Sequence, residues 1–304
     1  MRMFGRVLCG AAAGVMAVCG PASAQFRAEQ VDFASIYRFA ELAAAAYDGA
    51  AKLKSSRRGV AWVATPGHTH VQYFIVVDDA RKTQTIAVRG TIDKVNWKTN
   101  MDTLGVHDRR SGVLMHRGYS AAARVIYRDL KPRLNKAYTT NLTGHSLGGA
   151  VAAILATYLY DDRYPLGRVY TFGQPKFTNP AGAKAYRNLP LLRIVHQNDG
   201  VAAFPDNIKN SRKQFAQMGP MVNLLTGPHY LFIETARTIR FSQGSFRRFR
   251  GQLSVPDHKM KFYLSNLRYK LSGSKRVHPK DRLKFIDRQR RTPIKRTFNF
   301  GPHR

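Results

Sequence analysis

Cysteine is nearly absent. The 304 residues hold two, Cys9 and Cys19, both near the start. Beyond them the chain has no disulfide framework, no thiolate metal site and no cysteine nucleophile. Acidic residues are scarce too, 18 Asp+Glu against 50 Lys+Arg, for a formal net charge of +32. Such a surface attracts anions such as phospholipid headgroups, lipopolysaccharide or nucleic acid, and charge alone does not choose among them. There is no G-x-G-x-x-G and no phosphate loop, which removes the common nucleotide-binding signatures. There is no internal repeat. Past the N-terminus, no apolar run reaches the ~20 residues of a membrane-spanning helix.

What is present begins with a targeting pattern. Arg2 and Arg6 precede an apolar run, Val7 to Val18, and Ala22-Ser23-Ala24 forms an A-x-A cleavage site. This predicts a signal peptide over 1–24, a mature start at Gln25 and export to the periplasm or medium. Cys19 as a lipoprotein site fits worse, because the bulky Val18 precedes it. The whole chain is 44% hydrophobic with 17 Phe and 14 Tyr, nearly all of these aromatics beyond the leader, enough for a buried core.

Along that remainder, Phe33 to Ala50 has helical apolar spacing, followed by a basic loop at Lys52–Arg58. Strand-like runs follow at Val60–Ala64, Val71–Val77 and Thr83–Val88, then an amphipathic helix over Tyr119–Leu134 that Pro132 cuts short. Asn141–Thr143 reads as a strand, Leu147–Tyr160 as a buried helix, Arg168–Phe172 as a strand, Ala181–Arg187 as a short helix and Leu191–Val195 as a strand. The alternation predicts an α/β fold with a mostly parallel central sheet and helices on both faces. Later, Tyr230–Ile239 reads as a hairpin arm and His258–Leu267 as a helix. From 273 to 304 there are 11 basic and 2 acidic residues without apolar period, read as a basic, partly disordered tail after a domain spanning 25–272.

The chemistry centres on Gly144-His145-Ser146-Leu147-Gly148. In G-x-S-x-G the serine occupies a sharp strand-to-helix turn with its hydroxyl exposed. A serine needs a base to take its proton and donors for the oxyanion that forms on attack. The helix opening at Leu147 aims N–H groups and a positive dipole end at that charge. The alternative is a glycine-lined packing contact.

The segment "LTGHSLGGAVA" resembles the nucleophile elbow of the class 3, fungal-type lipases, and other pieces follow in that family's order. "AVRGTIDKVNWKTNMD" (87–102) is similar to the oxyanion strand and tryptophan-bearing lid, and "LMHRGYSAA" (114–122) to V-H-x-G-F. "YTFGQPKFTNPA" (170–181), "RIVHQNDGVAAFP" (193–205) and "PDHKMKFYLSNL" (256–267) complete the set. The resemblance implies the α/β-hydrolase fold and a lipase or esterase acting on acyl esters of lipids, without metal or other cofactor. It departs at the lid, where Asn100 stands three residues after Trp97 in place of an aspartate, and at Phe177-Thr178-Asn179.

A histidine base needs a carboxylate to fix its tautomer. Asp199 follows the strand Leu191–Val195, where a loop at the sheet's carboxyl edge would sit, with Asp206 as a rival; Asp161 and Asp162 close the helix after Ser146 and point away. In α/β-hydrolases the order is Ser, acid, His. His229, His258, His278 and His303 come after Asp199. The resemblance favours His258 over His229, through Asp257, Met260, Tyr263 and Leu264. For the oxyanion, the Leu147 amide is one expected donor, and the resemblance places the second at Thr91. His68-Thr69-His70 offers two metal-ligand types without a third partner. The expected partners are an ester substrate and an anionic membrane surface facing the basic C-terminal region, with no specific nucleic acid. A competing reading is a catalytically inactive, basic envelope-binding protein on a hydrolase scaffold.

Overall fold

The structure is a computed structural model, and it describes residues 26–90, 104–205, 215–235 and 256–286. The leader (1–24), Thr91, the lid segment with Trp97, Asp206 and His303 lie outside these residues.

Helix α1 (Phe33–Ala45) starts where the Asp32 side chain accepts from the Ser35 N–H, and α2 (Ala50–Ser56) follows it. The sequence reading of a basic loop at 52–58 is corrected here. The Lys/Ser-rich run is helical, and Leu53 is its buried anchor among exposed polar neighbours. Strands β1 (Val60–Ala64), β2 (Tyr73–Asp78) and β3 (Thr83–Val88) pair antiparallel in order. A small hairpin, β4 (Gly105–His107) and β5 (Leu114–His116), leads into α3 (Arg117–Leu130). Its buried Tyr119, Ala122, Ala123, Ile126 and Leu130 recur at helical spacing, and a 3₁₀ turn at Lys131–Arg133 around Pro132 ends it.

Then come β6 (Thr139–His145), α4 (Leu147–Asp161), β7 (Leu166–Phe172), α5 (Pro180–Ala185) and β8 (Leu191–His196). The chain continues through β9 (Met221–Leu224), β10 (His229–Ile233), α6 (Met260–Leu271) and β11 (Lys275–Arg276). Among the described residues the main sheet has nine strands in the order β1-β2-β3-β6-β7-β8-β9-β10-β11. Its centre, β3 to β9 in that order, is parallel throughout.

One face of the sheet packs Ile86, Val88, Leu142 and Val169 against α3 and α4. The other packs Tyr170, Phe172, Leu192 and Ile194 against α1 and α6. Helix α4 is buried from Leu147 to Leu159, which explains why it is apolar all round rather than on one stripe. On β8 the same core encloses Arg193, 2% exposed, whose Nε and Nη2 have no partner among the described residues. Burial pushes its guanidinium down to about 9.

The C-terminal part of the described chain folds back on the sheet edge. β11 pairs parallel with β10, and a 3₁₀ segment at Pro279–Phe285 follows. Buried Ile286 joins Leu225, Leu231 and Ile233 in a small apolar cluster apart from the main core. Lys270 Nζ donates to the Leu225 carbonyl (2.7 Å) and to the Gly227 carbonyl, holding the end of α6 on the β9–β10 turn. Residues 273–286, read from sequence as the start of a tail, are therefore part of the folded body.

Candidate active site

Ser146 joins β6 to α4 with φ +60° and ψ −131°, a conformation that non-glycine residues rarely adopt. Its N–H donates to the Phe172 carbonyl at 2.9 Å, tying the turn to the end of β7. Close packing on both sides makes room for it. A Cβ on Gly144 would run into the Gly148 carbonyl, and one on Gly148 into the Val88 carbonyl. Leu147 opens α4, where the first backbone bond back runs from the Gly149 N–H to the Ser146 carbonyl at 2.9 Å, so the Leu147 N–H precedes the helix's own ladder. Gly90, the last described residue before Thr91, lies against the serine: a Cβ there would stand 3.1 Å from Ser146 Cβ.

Asp199 follows β8 and is 2% exposed. Its Oδ2 lies 2.8 Å from His258 Nδ1 and accepts from the Tyr263 hydroxyl, while Oδ1 accepts from the Val201 N–H at 2.9 Å. Burial pushes this carboxyl up. The His258 charge and the donors from His258 and Tyr263 outweigh that and hold it below the usual carboxylate range. Asp199 is thus a buried carboxylate whose oxygens are both occupied.

His258 sits in a 3₁₀ turn, Pro256–His258, ahead of α6. A Cβ on Gly173 would come 2.9 Å from His258 Nδ1 and 2.7 Å from Asp199 Oδ2, so the residue after β7 touches both. The ring of His145, the residue before the serine, stacks on His258 with centroids 4.5 Å apart. His145 Nε2 lies 2.8 Å from the His258 carbonyl, which only accepts, so Nε2 carries the proton. Nδ1 then accepts from the Tyr47 hydroxyl, also at 2.8 Å. Burial first, and then the His258 charge, push His145 down to about 3, so it stays neutral beside its partner.

The structure sets Ser146 and Leu147 after β6, Gly173 after β7 and Asp199 after β8, and brings His258 to this carboxyl edge through Asp199, Gly173 and the His145 ring. It does not bring the other candidates there. His229 stacks on Phe285 with centroids 4.0 Å apart, at the C-terminal strap. His278 caps the 3₁₀ segment at Pro279. Asp162 pairs with Arg110 and Lys131, and Asp161 accepts from the Tyr186 hydroxyl at 2.7 Å. Among the described residues no group of three or more His, Cys, Asp or Glu is placed to hold a metal, and no helix is long and apolar enough to cross a membrane. Sequence reasoning did not single out Tyr47, a lone tyrosine after an alanine run, or Arg282, which the fold carries to the acid loop.

Residues 85–208 match the class 3 lipase family. A secreted mono- and diacylglycerol lipase of Fusarium solani is 33% identical over 146 residues, 45% of this chain and 44% of that protein. A lipase of Rhizomucor miehei is 30% identical over 140 residues, 42% of this chain and 39% of that protein. The matched part of the chain therefore spans less than half the length of these relatives. Among solved structures, the Rhizomucor miehei triacylglyceride lipase superposes with a TM-score of 0.62 at 20% identity, covering 77% of this chain and 94% of that one. A lipase from Rhizopus microsporus var. chinensis gives 0.57 at 22%, covering 77% and 87%. Residues 85–208 thus carry the match to class 3 lipases, and the sheet around them has the α/β-hydrolase fold of the fungal lipases.

Proposed function

We propose that the protein is an exported serine carboxylester hydrolase that cleaves acyl esters of lipids through Ser146, His258 and Asp199. The observation that carries this reading is the 2.8 Å contact of His258 Nδ1 with buried Asp199, beside a serine held on a strained elbow. Ser146 Oγ attacks the ester carbonyl and His258 Nε2 takes its proton. Asp199 fixes the tautomer through Nδ1–H and stabilises the imidazolium. The oxyanion is received by the Leu147 N–H at the start of α4 and, by the family resemblance, by Thr91, the residue after Gly90 in the chain. Collapse expels the alcohol, protonated by His258; water, deprotonated by the same histidine, then releases the acid.

The relatives support the substrate class. The Fusarium relative is named for mono- and diacylglycerols, and in a triacylglycerol lipase of the same fold a serine-protease triad forms the catalytic centre. The secreted relatives accord with export through a leader at 1–24. We assign the hydrolase domain to residues 25–286, including the strap that folds back on the sheet edge, and the basic segment 287–304 to contact with an anionic membrane surface. Hydrolysis of p-nitrophenyl esters from short to long acyl chains, with Ser146→Ala as the blank, tests the assignment. Serine-dependent turnover supports it. Folded protein with equal rates for both forms overturns it in favour of a binding protein on this scaffold.

A further inference from the structure

We infer that Arg282, from the C-terminal strap, is a positioning residue for the catalytic acid loop; this rests on the reading of Asp199 as the acid. The loop needs holding. Gln197, two residues before Asp199, has φ +45°, a left-handed conformation that a non-glycine residue keeps only when its surroundings enforce it. On the inner side, Asp257, the neighbour of His258, accepts from the Asn198 N–H at 3.3 Å. On the outer side, Asn223 Nδ2 donates to the Val195 and Gln197 carbonyls at 3.0 and 2.9 Å.

Arg282 completes this outer side. Its Nη2 donates to the Gln197 carbonyl at 3.0 Å and to Asn198 Oδ1 at 2.6 Å, while Nε donates to Asn223 Oδ1 at 2.8 Å. One planar guanidinium thus locks the turn residue Gln197, the residue before the acid, Asn198, and the Asn223 side chain that props Val195 and Gln197. Lysine, with a single ammonium, does not reproduce that fork. The residue is not placed by chance. Val277 N–H donates to the Tyr230 carbonyl and Thr226 N–H to the Phe285 carbonyl, both at 2.9 Å. His229 stacks on Phe285, and Ile286 is buried in the edge cluster. The strap is therefore anchored on both sides of Arg282, and it lies outside residues 85–208, the part matched to the family.

The test compares wild type, Arg282→Ala and Arg282→Lys, with rates normalised to active sites titrated by a fluorophosphonate. Misplacing a catalytic group by about 1 Å from a distance costs on the order of 100-fold. Arg282→Ala is expected to lower kcat about 10- to 100-fold with KM within about twofold. The acid limb of its kcat/KM profile should move, because His258 loses a well-placed carboxylate, and the downfield resonance of His258 Nδ1–H should shift. Added guanidinium, below denaturing concentrations, should restore part of kcat in Arg282→Ala. Should Arg282→Ala not fold, Arg282→Lys keeps the stem and charge and is expected to show the same profile shift. A normal kcat per titrated site with an unmoved pH limb and resonance overturns the inference. Failure of the site reading itself looks different: wild type and Ser146→Ala would then turn over alike.

Discussion

Gly144 and Gly148 lie so close across the elbow that a Cβ on the first would overlap the carbonyl of the second. The β6–α4 crossing therefore tolerates no side chain at either position without moving the serine between them. Gly144→Ala is expected to destabilise the fold by about 1–3 kcal/mol through overpacking. It should also lower ester hydrolysis in the protein that remains folded. Denaturant midpoints and titrated active sites, measured together, separate the two effects.

Asp199→Asn is expected to retain the fold and lose about 10⁴-fold in kcat. The amide can present N–H to His258 Nδ1 and favour the wrong tautomer. Near-wild-type turnover by Asp199→Asn would transfer the acid role elsewhere, and Asp206→Asn is then the next variant to assay.

The neutral state of His145 gives stability a pH dependence. Its pKa falls from 6.5 in the unfolded chain to about 3 in the fold, so between these values the unfolded chain binds the extra proton. Its contribution is fully present above 6.5 and is lost as the pH falls toward 3, with a slope of up to about 1.4 kcal/mol per pH unit. Tyr47, His258, Asp199 and Tyr263 surround this ring and are left in place by His145→Gln. The variant is expected to flatten the stability–pH curve across that window, read by urea unfolding from pH 7 to 4.

Arg193 is a buried cation with two nitrogens unpartnered among the described residues. Replacing a buried charge by an apolar side chain of similar volume often stabilises by about 1–4 kcal/mol. Arg193→Met is expected to raise the unfolding midpoint at neutral pH. Because the folded pKa is depressed to about 9, the penalty is complete below that and shrinks as the pH rises above it. A lower midpoint for the variant would show that the guanidinium has an acceptor in solution.

Two truncations separate surface binding from catalysis. A chain ending at Ile286 keeps the strap and should retain turnover on a soluble ester while binding anionic vesicles more weakly. A chain ending at Ser272 removes Arg282 and should lose turnover as well. Vesicle co-sedimentation and p-nitrophenyl ester assays on both chains read out the difference.

How much of this was legible in the sequence depends on the distance over which each feature is fixed. The elbow could be read directly, because its glycines, serine and apolar helix are contiguous. The central strands were legible as apolar runs, with β6 two residues longer at each end than its most apolar core suggested. Helix α2 was hidden, since Leu53 alone marks its buried side. Strands β9 and β11 are short and take their identity from neighbours rather than from their own pattern. His258 and Asp199 stand 59 residues apart and were matched by chain order and family resemblance, not by local signal. Arg282 was illegible: its partners are 59 to 85 residues away, and its own surroundings have the composition of a solvated tail.

The edge cluster around Ile286 shares no buried member with the main core clusters. A small separate cluster is the kind of unit that opens by local rather than global unfolding. If it opens first on warming, the acid loop loses its outer prop while the elbow and central sheet remain intact. Hydrolysis should then fade several degrees below the loss of helical signal. Amide exchange would show β10 and β11 releasing protons before β6 and β7, so that the protein's working temperature is set by its edge and not by its core.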